Sequence, residues 1–249
     1  MAIILKSKEE REKIRQAGHI VAEILAAMRS AVRPGITTRL LDDIAVAELQ
    51  RRGARSGTLK YRGYPASVCT SVNDEVVHGI PGKRVLKEGD LVSIDFVAVY
   101  DGWHADATVT VPVGEVSPRV QRLLKVTEDA LYRGIAAARA GNRLQDISRS
   151  IQRHVEEAGF SIVRMYGGHG LGRSMHEDPQ VLNYVEPGQQ NPILKPGMVI
   201  AIEPMVIMGA KETRVLPDNW TVVTADGTYA AHFEHTVAIT TGDADILTL

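Results

Sequence analysis

The chain has 249 residues, of which 24% are charged, with a formal net charge of −1 and one cysteine. That length permits a substantial core in one large domain or two. Near-neutrality gives no electrostatic pull toward nucleic acid or an anionic membrane, and the lone Cys69 excludes an internal disulfide and a thiolate metal cage.

In chain order, the opening MAIILKSKEEREKIRQAGHI has an apolar stretch too short for a signal-peptide core, and no run further on is long enough to cross a membrane. A reducing cytoplasm is the compartment this predicts. Residues 7–32 read as a helix. A second helix is predicted within 29–53, capped at Thr37-Thr38 and stopped by Gly53. Strand-like runs follow, divided by turn signals at Pro81-Gly82 and Asp101-Gly102. The cycle then restarts, with helices predicted over 117–139 and within 139–159, the latter ending at Gly159. Further strands are divided by Pro187-Gly188 and Asp226-Gly227. Helix, helix, then strands is an α+β order, because strict βαβ alternation is missing. No Pro/Ser-rich linker separates the halves, so a single domain over 1–249 is expected, built of halves at about 1–115 and 116–249.

The halves also share a motif. Residues 86–97 read LKEGDLVSIDFV and residues 194–205 read LKPGMVIAIEPM, which aligns Asp95 with Glu203. Asp106-Ala107-Thr108-Val109 likewise matches Glu234-His235-Thr236-Val237. Asp95 falls inside Leu-Val-Ser-Ile-Asp-Phe-Val-Ala-Val, a run that predicts a core strand. An ionised carboxylate there is costly without positive compensation, and no cationic residue adjoins any of the four acids. Hard oxygen ligands around metal ions are the economical explanation.

Three histidines sit in unusual settings. His169 lies within Tyr166-Gly167-Gly168-His169-Gly170-Leu171-Gly172, where glycine permits close backbone approach; the spacing is not that of a dinucleotide loop. His176 precedes Glu177-Asp178-Pro179, which lacks the second histidine of a zincin helix, and His78 enters the turn Gly79-Ile80-Pro81-Gly82. Asp95, Asp106, His169, Glu203 and Glu234 together suit two divalent cations such as Mn(II), Fe(II), Co(II) or Zn(II). Paired metals can deprotonate a shared water and polarise a carbonyl, which is hydrolytic chemistry.

The segments YPASVCTSVNDEVVHGIPG, SIDFVAVYDGWHADATVTVPVG, GGHGLGRSMHEDP, AIEPM and FEHT resemble those of the type I methionine aminopeptidases, and the similarity spans essentially the whole chain. The resemblance implies the pita-bread fold, two pseudo-symmetric halves around a central, mainly antiparallel sheet. It implies removal of the initiator methionine from nascent peptides with a small second residue, through a metal-bridging hydroxide. Xaa-Pro aminopeptidases and prolidases are similar at the metal site but usually carry a further N-terminal domain.

By the same resemblance Asp95 chelates one ion and helps receive the substrate α-amine, while Asp106 and Glu234 bridge both ions. His169 and Glu203 complete the other shell, and Glu203 also assists proton transfer. His78 and His176 are implied to contact the scissile amide and the developing oxyanion. Tyr61, Tyr64, Cys69 and Trp220 match the pocket for the methionine side chain, with Thr58 and Lys60 near its mouth. Met175 departs from the family's usual phenylalanine. Asn73 matches a loop that binds a monovalent cation in some relatives. His19 and His154 read as solvated helix residues. His104, His232 and His235 stay outside the catalytic set, since strand alternation turns His235 away from Glu234's face. The implied protein is a cytoplasmic monomer whose partners are nascent N-termini and, by extension, the ribosome.

Overall fold

The computed structural model describes residues 2–249. Helix α1 (Lys8–Ala31) begins at a capping box in which the Ser7 hydroxyl accepts from the Glu10 N–H and the Glu10 carboxylate accepts from the Ser7 N–H. Helix α2 (Thr38–Arg52) is capped by Thr37 and stops where Gly53 enters the left-handed region at φ 64°. Next come strand β1 (Arg55–Ser56), a 3₁₀ turn at Tyr61–Gly63, and strands β2 (Cys69–Val72), β3 (Glu75–Val77), β4 (Leu91–Tyr100) and β5 (Trp103–Pro112). The second half repeats the order, with α3 (Pro118–Ala137) and α4 (Leu144–Glu157). Its strands are β6 (Ser161–Ile162), β7 (Gly168–Gly170), β8 (Glu177–Val181), β9 (Val199–Ile202), β10 (Met205–Ile207), β11 (Thr213–Val215), β12 (Val222–Thr224), β13 (Ala230–His232), β14 (Glu234–Ala238) and β15 (Asp245–Ile246). Each predicted helix is present within a few residues of its expected limits.

The main sheet runs β1-β4-β5-β14-β9-β7-β8, with β2 also on β4 and β15 also on β14. Its pairings are antiparallel. The halves meet where β5 pairs β14, placing Glu234 opposite Thr108 and His235 opposite Ala107. Two small sheets, β13-β10-β6 and β11-β12-β3, complete the strands. The β4–β5 hairpin closes on Asp101 and Gly102 at φ 47° and 74°, a two-residue turn with the twist its strands require.

Helices α1 and α2 cover one face of β4 and β5. Ile94, Phe96 and Ala98 join Ile14, Val21, Ile24 and Met28 of α1 in one buried apolar cluster. Period-2 alternation therefore turns Ser93, Asp95 and Val97 to the opposite face. On β5 the same rule sends Ala105 and Ala107 to the helices and Asp106, Thr108 and Thr110 away from them. Burying each large apolar side chain contributes roughly 1.5–3 kcal/mol, and a one-residue slip would reverse every one of them. The core thus fixes which face the carboxylates occupy. In the second half α3 and α4 do the same with Leu123, Leu131, Leu144, Ile147 and Ile151 against Ile200, Ile202 and Val237.

Candidate functional site

The face left uncovered by helices carries a cavity of ≈ 240 Å³ lined by residues of both halves. Asp95 and Asp106 reach it from β4 and β5, His169 from β7, Glu203 from one position beyond β9, and Glu234 from the start of β14. All five predicted ligands line this one space. Asp106, His169 and Glu234 each offer a ligand atom lying within 4.8 Å of the others. His169 Nε2 also stands 3.7 Å from Glu203 Oε1 and 3.8 Å from Asp106 Oδ2. Those gaps are too wide for hydrogen bonds, yet two metal–ligand bonds of about 2.0–2.2 Å can span them.

The protonation of His169 follows from a carbonyl. Its Nδ1 lies 2.9 Å from Gly170 O, which can only accept, so the ring proton sits on Nδ1 and the Nε2 lone pair faces the acids. A Cβ on Gly170 would lie 2.3 Å from Asp178 O, and one on Gly168 2.1 Å from Ala201 O. The glycines around His169 are there because neighbouring backbone passes too close for a side chain.

Electrostatically the acids are under strain. Burial drives Asp95 up to about 7 despite a hydrogen bond from Thr108, and burial with the Asp95 charge drives Glu203 to about 8. Asp106 and Glu234 are raised well above the carboxylate range by burial and by the other acids. Asp106 Oδ1 and Glu234 Oε1 are buried with no hydrogen-bond partner, although Glu234 Oε2 accepts from Thr108 Oγ1 at 2.8 Å. Leaving such oxygens unpaired costs about 1–3 kcal/mol each. Divalent cations would satisfy both and offset the repulsion, so the donor set fits metal ions; Asp95, Asp106, His169, Glu203 and Glu234 are the residues that could hold them.

His78 and His176 line the same cavity, with the His176 ring 4.2 Å from that of His169. His78 is held at φ 60°, edge-on to Tyr166 and Trp220, and burial lowers it to about 4. The next residue must be glycine, because a Cβ on Gly79 would sit 2.3 Å from Thr70 O. His176 is exposed at the mouth, stacks on Tyr61 at 5.4 Å, and shares a 2.9 Å hydrogen bond from its Nδ1 to the Tyr61 hydroxyl. Desolvation, the neighbouring His169 and Arg62 push it downward, so both imidazoles are neutral at pH 7.

Tyr61, Tyr64, Cys69, Trp220, Met175 and Thr58 line the remaining wall. Cys69 pairs with Asp95 in register, which puts the pocket beside the acids. Tyr64 donates to Gly79 O at 2.8 Å, tying the wall to the turn that carries His78. Lys60 is exposed and does not line the cavity. Asn73 lies apart from the cavity; its amide donates to Asp90 Oδ1, its side-chain oxygen accepts from Leu91 N–H, and its carbonyl accepts from Ala230 N–H. His232, kept out of the site on sequence grounds, does line the cavity, as do Val97 and Tyr166. Two-residue spacing from Glu234 was the signal that could have found it.

The profile of metallopeptidase family M24 matches residues 12–241. The chain belongs to that family. Methionine aminopeptidase 1 of Bacillus subtilis is 50% identical over 246 residues, covering 99% of each chain. The Aquifex aeolicus methionine aminopeptidase is 50% identical over 256 residues, covering 100% of this chain and 99% of that one. Among solved structures, methionine aminopeptidase from Rickettsia prowazekii superimposes with a TM-score of 0.97 at 39% identity, covering 100% of both chains. Prolidase from Pyrococcus furiosus gives 0.81 at 25% identity, and this chain covers 65% of it. The α+β sheet described above is thus the pita-bread arrangement of the M24 metallopeptidases.

Proposed function

We propose that this chain is a dinuclear metallo-aminopeptidase that removes the N-terminal methionine from peptides whose second residue is small. The observation that carries the reading is the set of buried, unpartnered carboxylate oxygens beside the free Nε2 of His169. Full-length relatives named methionine aminopeptidase support the substrate class. When bound, two divalent ions supply a nucleophilic water at neutral pH and polarise the scissile carbonyl.

The chain's own residues do the rest. Asp95 faces the incoming α-amine with a carboxylate. The methionine side chain lodges against Tyr64, Cys69, Met175 and Trp220, a soft aromatic and sulfur-lined wall suited to a thioether. The neutral rings of His78 and His176 donate hydrogen bonds to the amide and to the oxygen on which charge develops, so their benefit appears in the transition state. Glu203, its proton affinity raised by burial, takes a proton when ionised and returns it to the leaving amine. The requirement for a small second residue rests on the resemblance to the methionine aminopeptidases.

We place this activity on nascent chains in the cytoplasm, carried out by a monomer. The single thiol Cys69 supports a reducing compartment, and among the described residues no helix is long and apolar enough to cross a membrane. A monovalent cation at Asn73 rests on the resemblance alone, since that side chain is engaged with Asp90 and Leu91.

The test is mass spectrometry of Met-Ala-Ser, Met-Lys-Ser, Ala-Ala-Ser and Ala-Pro-Ser peptides incubated with metal-stripped protein, with and without Mn(II) or Co(II). Metal-dependent loss of methionine from Met-Ala-Ser alone is the expected result. Cleavage of Ala-Pro-Ser would move the chain to Xaa-Pro specificity, and silence under every metal would leave a binding protein.

A further inference from the structure

His232 is the one imidazole in the cavity to which the proposed mechanism gives no task. It is the last residue of β13 and only 2% exposed. Its backbone is clamped to Thr110 of β5: the His232 N–H donates to Thr110 Oγ1 at 2.8 Å, and Thr110 Oγ1 donates to His232 O at 2.7 Å. The ring therefore cannot drift with a loose chain. Its Nε2 is buried without a hydrogen-bond partner and lies 3.8 Å from Glu203 Oε2.

Glu203 thus stands between two imidazoles. Oε1 faces His169 Nε2 at 3.7 Å, and Oε2 faces His232 Nε2 at 3.8 Å. The first gap opens on a ring nitrogen with a lone pair, as the Gly170 carbonyl requires, and suits a shared ion. The second suits a hydrogen bond after a shift of about 1 Å, which a small rotation of the carboxylate supplies. The orphaned ring nitrogen would be satisfied, and leaving it unpaired costs about 1–3 kcal/mol. Metal-binding carboxylates are characteristically held by an outer donor that fixes which oxygen faces the ion.

We propose that His232 is a positioning residue, donating its Nε2–H to Glu203 Oε2 and so holding Oε1 toward His169. The inference rests on the metallo-aminopeptidase reading. It assigns His232 no contact with substrate and no transfer of a proton.

Calorimetric titration of the stripped protein with Mn(II), comparing the wild-type chain with H232L, H232Q and H232N, tests it. H232L keeps the volume but cannot donate, and is expected to weaken one of two Mn(II) binding events by about 10- to 100-fold. Its kcat on Met-Ala-Ser should fall while KM stays near the wild-type value. H232Q, whose amide reaches the same oxygen, should recover most of the affinity and the rate; H232N, polar but one bond shorter, should not. If H232L binds Mn(II) as tightly as the wild-type chain, or if Gln and Asn behave alike, the positioning role is wrong. Should H232L fail to fold, the Gln and Asn pair still decides. Failure of the wild-type protein to bind Mn(II) would instead overturn the function on which the inference stands.

Discussion

At the residue scale, the division of labour between the two outer histidines and the acids follows from burial. His78 and His176 carry no counter-charge within hydrogen-bond reach; the His176 ring bonds only the neutral Tyr61 hydroxyl. Desolvation keeps them neutral, so in the proposed reaction they would serve as donors to a forming charge rather than as cations that bind any anion. His78→Ala and His176→Ala should each lower kcat by about 10²–10³-fold, the usual loss for a donor to a developing oxyanion. Mn(II) affinity should hardly change, because neither ring belongs to the acid cluster. Calorimetry beside steady-state kinetics checks this, and a parallel loss of metal would show that the rings help to bind the ions.

At the element scale, the loop carrying Met175 and His176 is anchored by a residue from the opposite end of the chain. The Lys6 ammonium forms a close ion pair with Glu177 and donates to Ile4 O, with side chains only 3% and 10% exposed. The same extended segment is tied by Lys6 N–H to Gly197 O at 2.7 Å, ahead of β9. Glu177 in turn accepts from Ser174 N–H through its other oxygen, closing the turn beneath Met175. Breaking one side of a buried pair leaves an uncompensated charge. Lys6→Met should therefore destabilise the fold by roughly 3 kcal/mol, and Lys6→Met with Glu177→Gln by less. Urea unfolding of the two variants measures this; an additive double variant would mean that the pair contributes nothing beyond its separate side chains.

At the scale of the whole molecule, the site is a store of unfavourable charge that sets how the metal-free protein responds to pH. Asp95 and Glu203, raised to about 7 and about 8, keep protons in the folded chain that the unfolded chain has released. Their contribution is complete below about pH 4 and drains away as pH climbs through those folded values. His78, His169 and His232 are lowered to about 4, about 4 and about 3 by burial, so they act oppositely and weaken the fold as pH drops below about 6.5. The two sets oppose each other between about pH 4 and 6.5, and above that the carboxylates act alone. The Tm of stripped protein should fall from pH 6.5 to 8, and the rise in Tm on adding Mn(II) should grow over the same window. A flat Tm across it would show that the acids are not strained in the metal-free fold.

The amino-acid sequence alone was enough for the helices, the α+β class, and the four acids and one histidine that meet in the cavity. Those features are written in short-range chemistry. Ser7 with Glu10 and Thr37 start helices, Gly53 stops one, and the alternation around Asp95 names its face because Ile94 and Phe96 can go nowhere but inward. Duplication of the L-K-x-G strand also made Glu203 legible from Asp95. The tertiary structure alone decided the encounters between distant segments: Tyr61 with His176, Lys6 with Glu177, and His232 with Glu203. His232 stands two residues from a ligand in sequence, and it and Glu234 face the same cavity across the break at Phe233. Periodicity says which way a side chain points. Only the pairing of β5 with β14 and the path of the intervening loops say what it meets there.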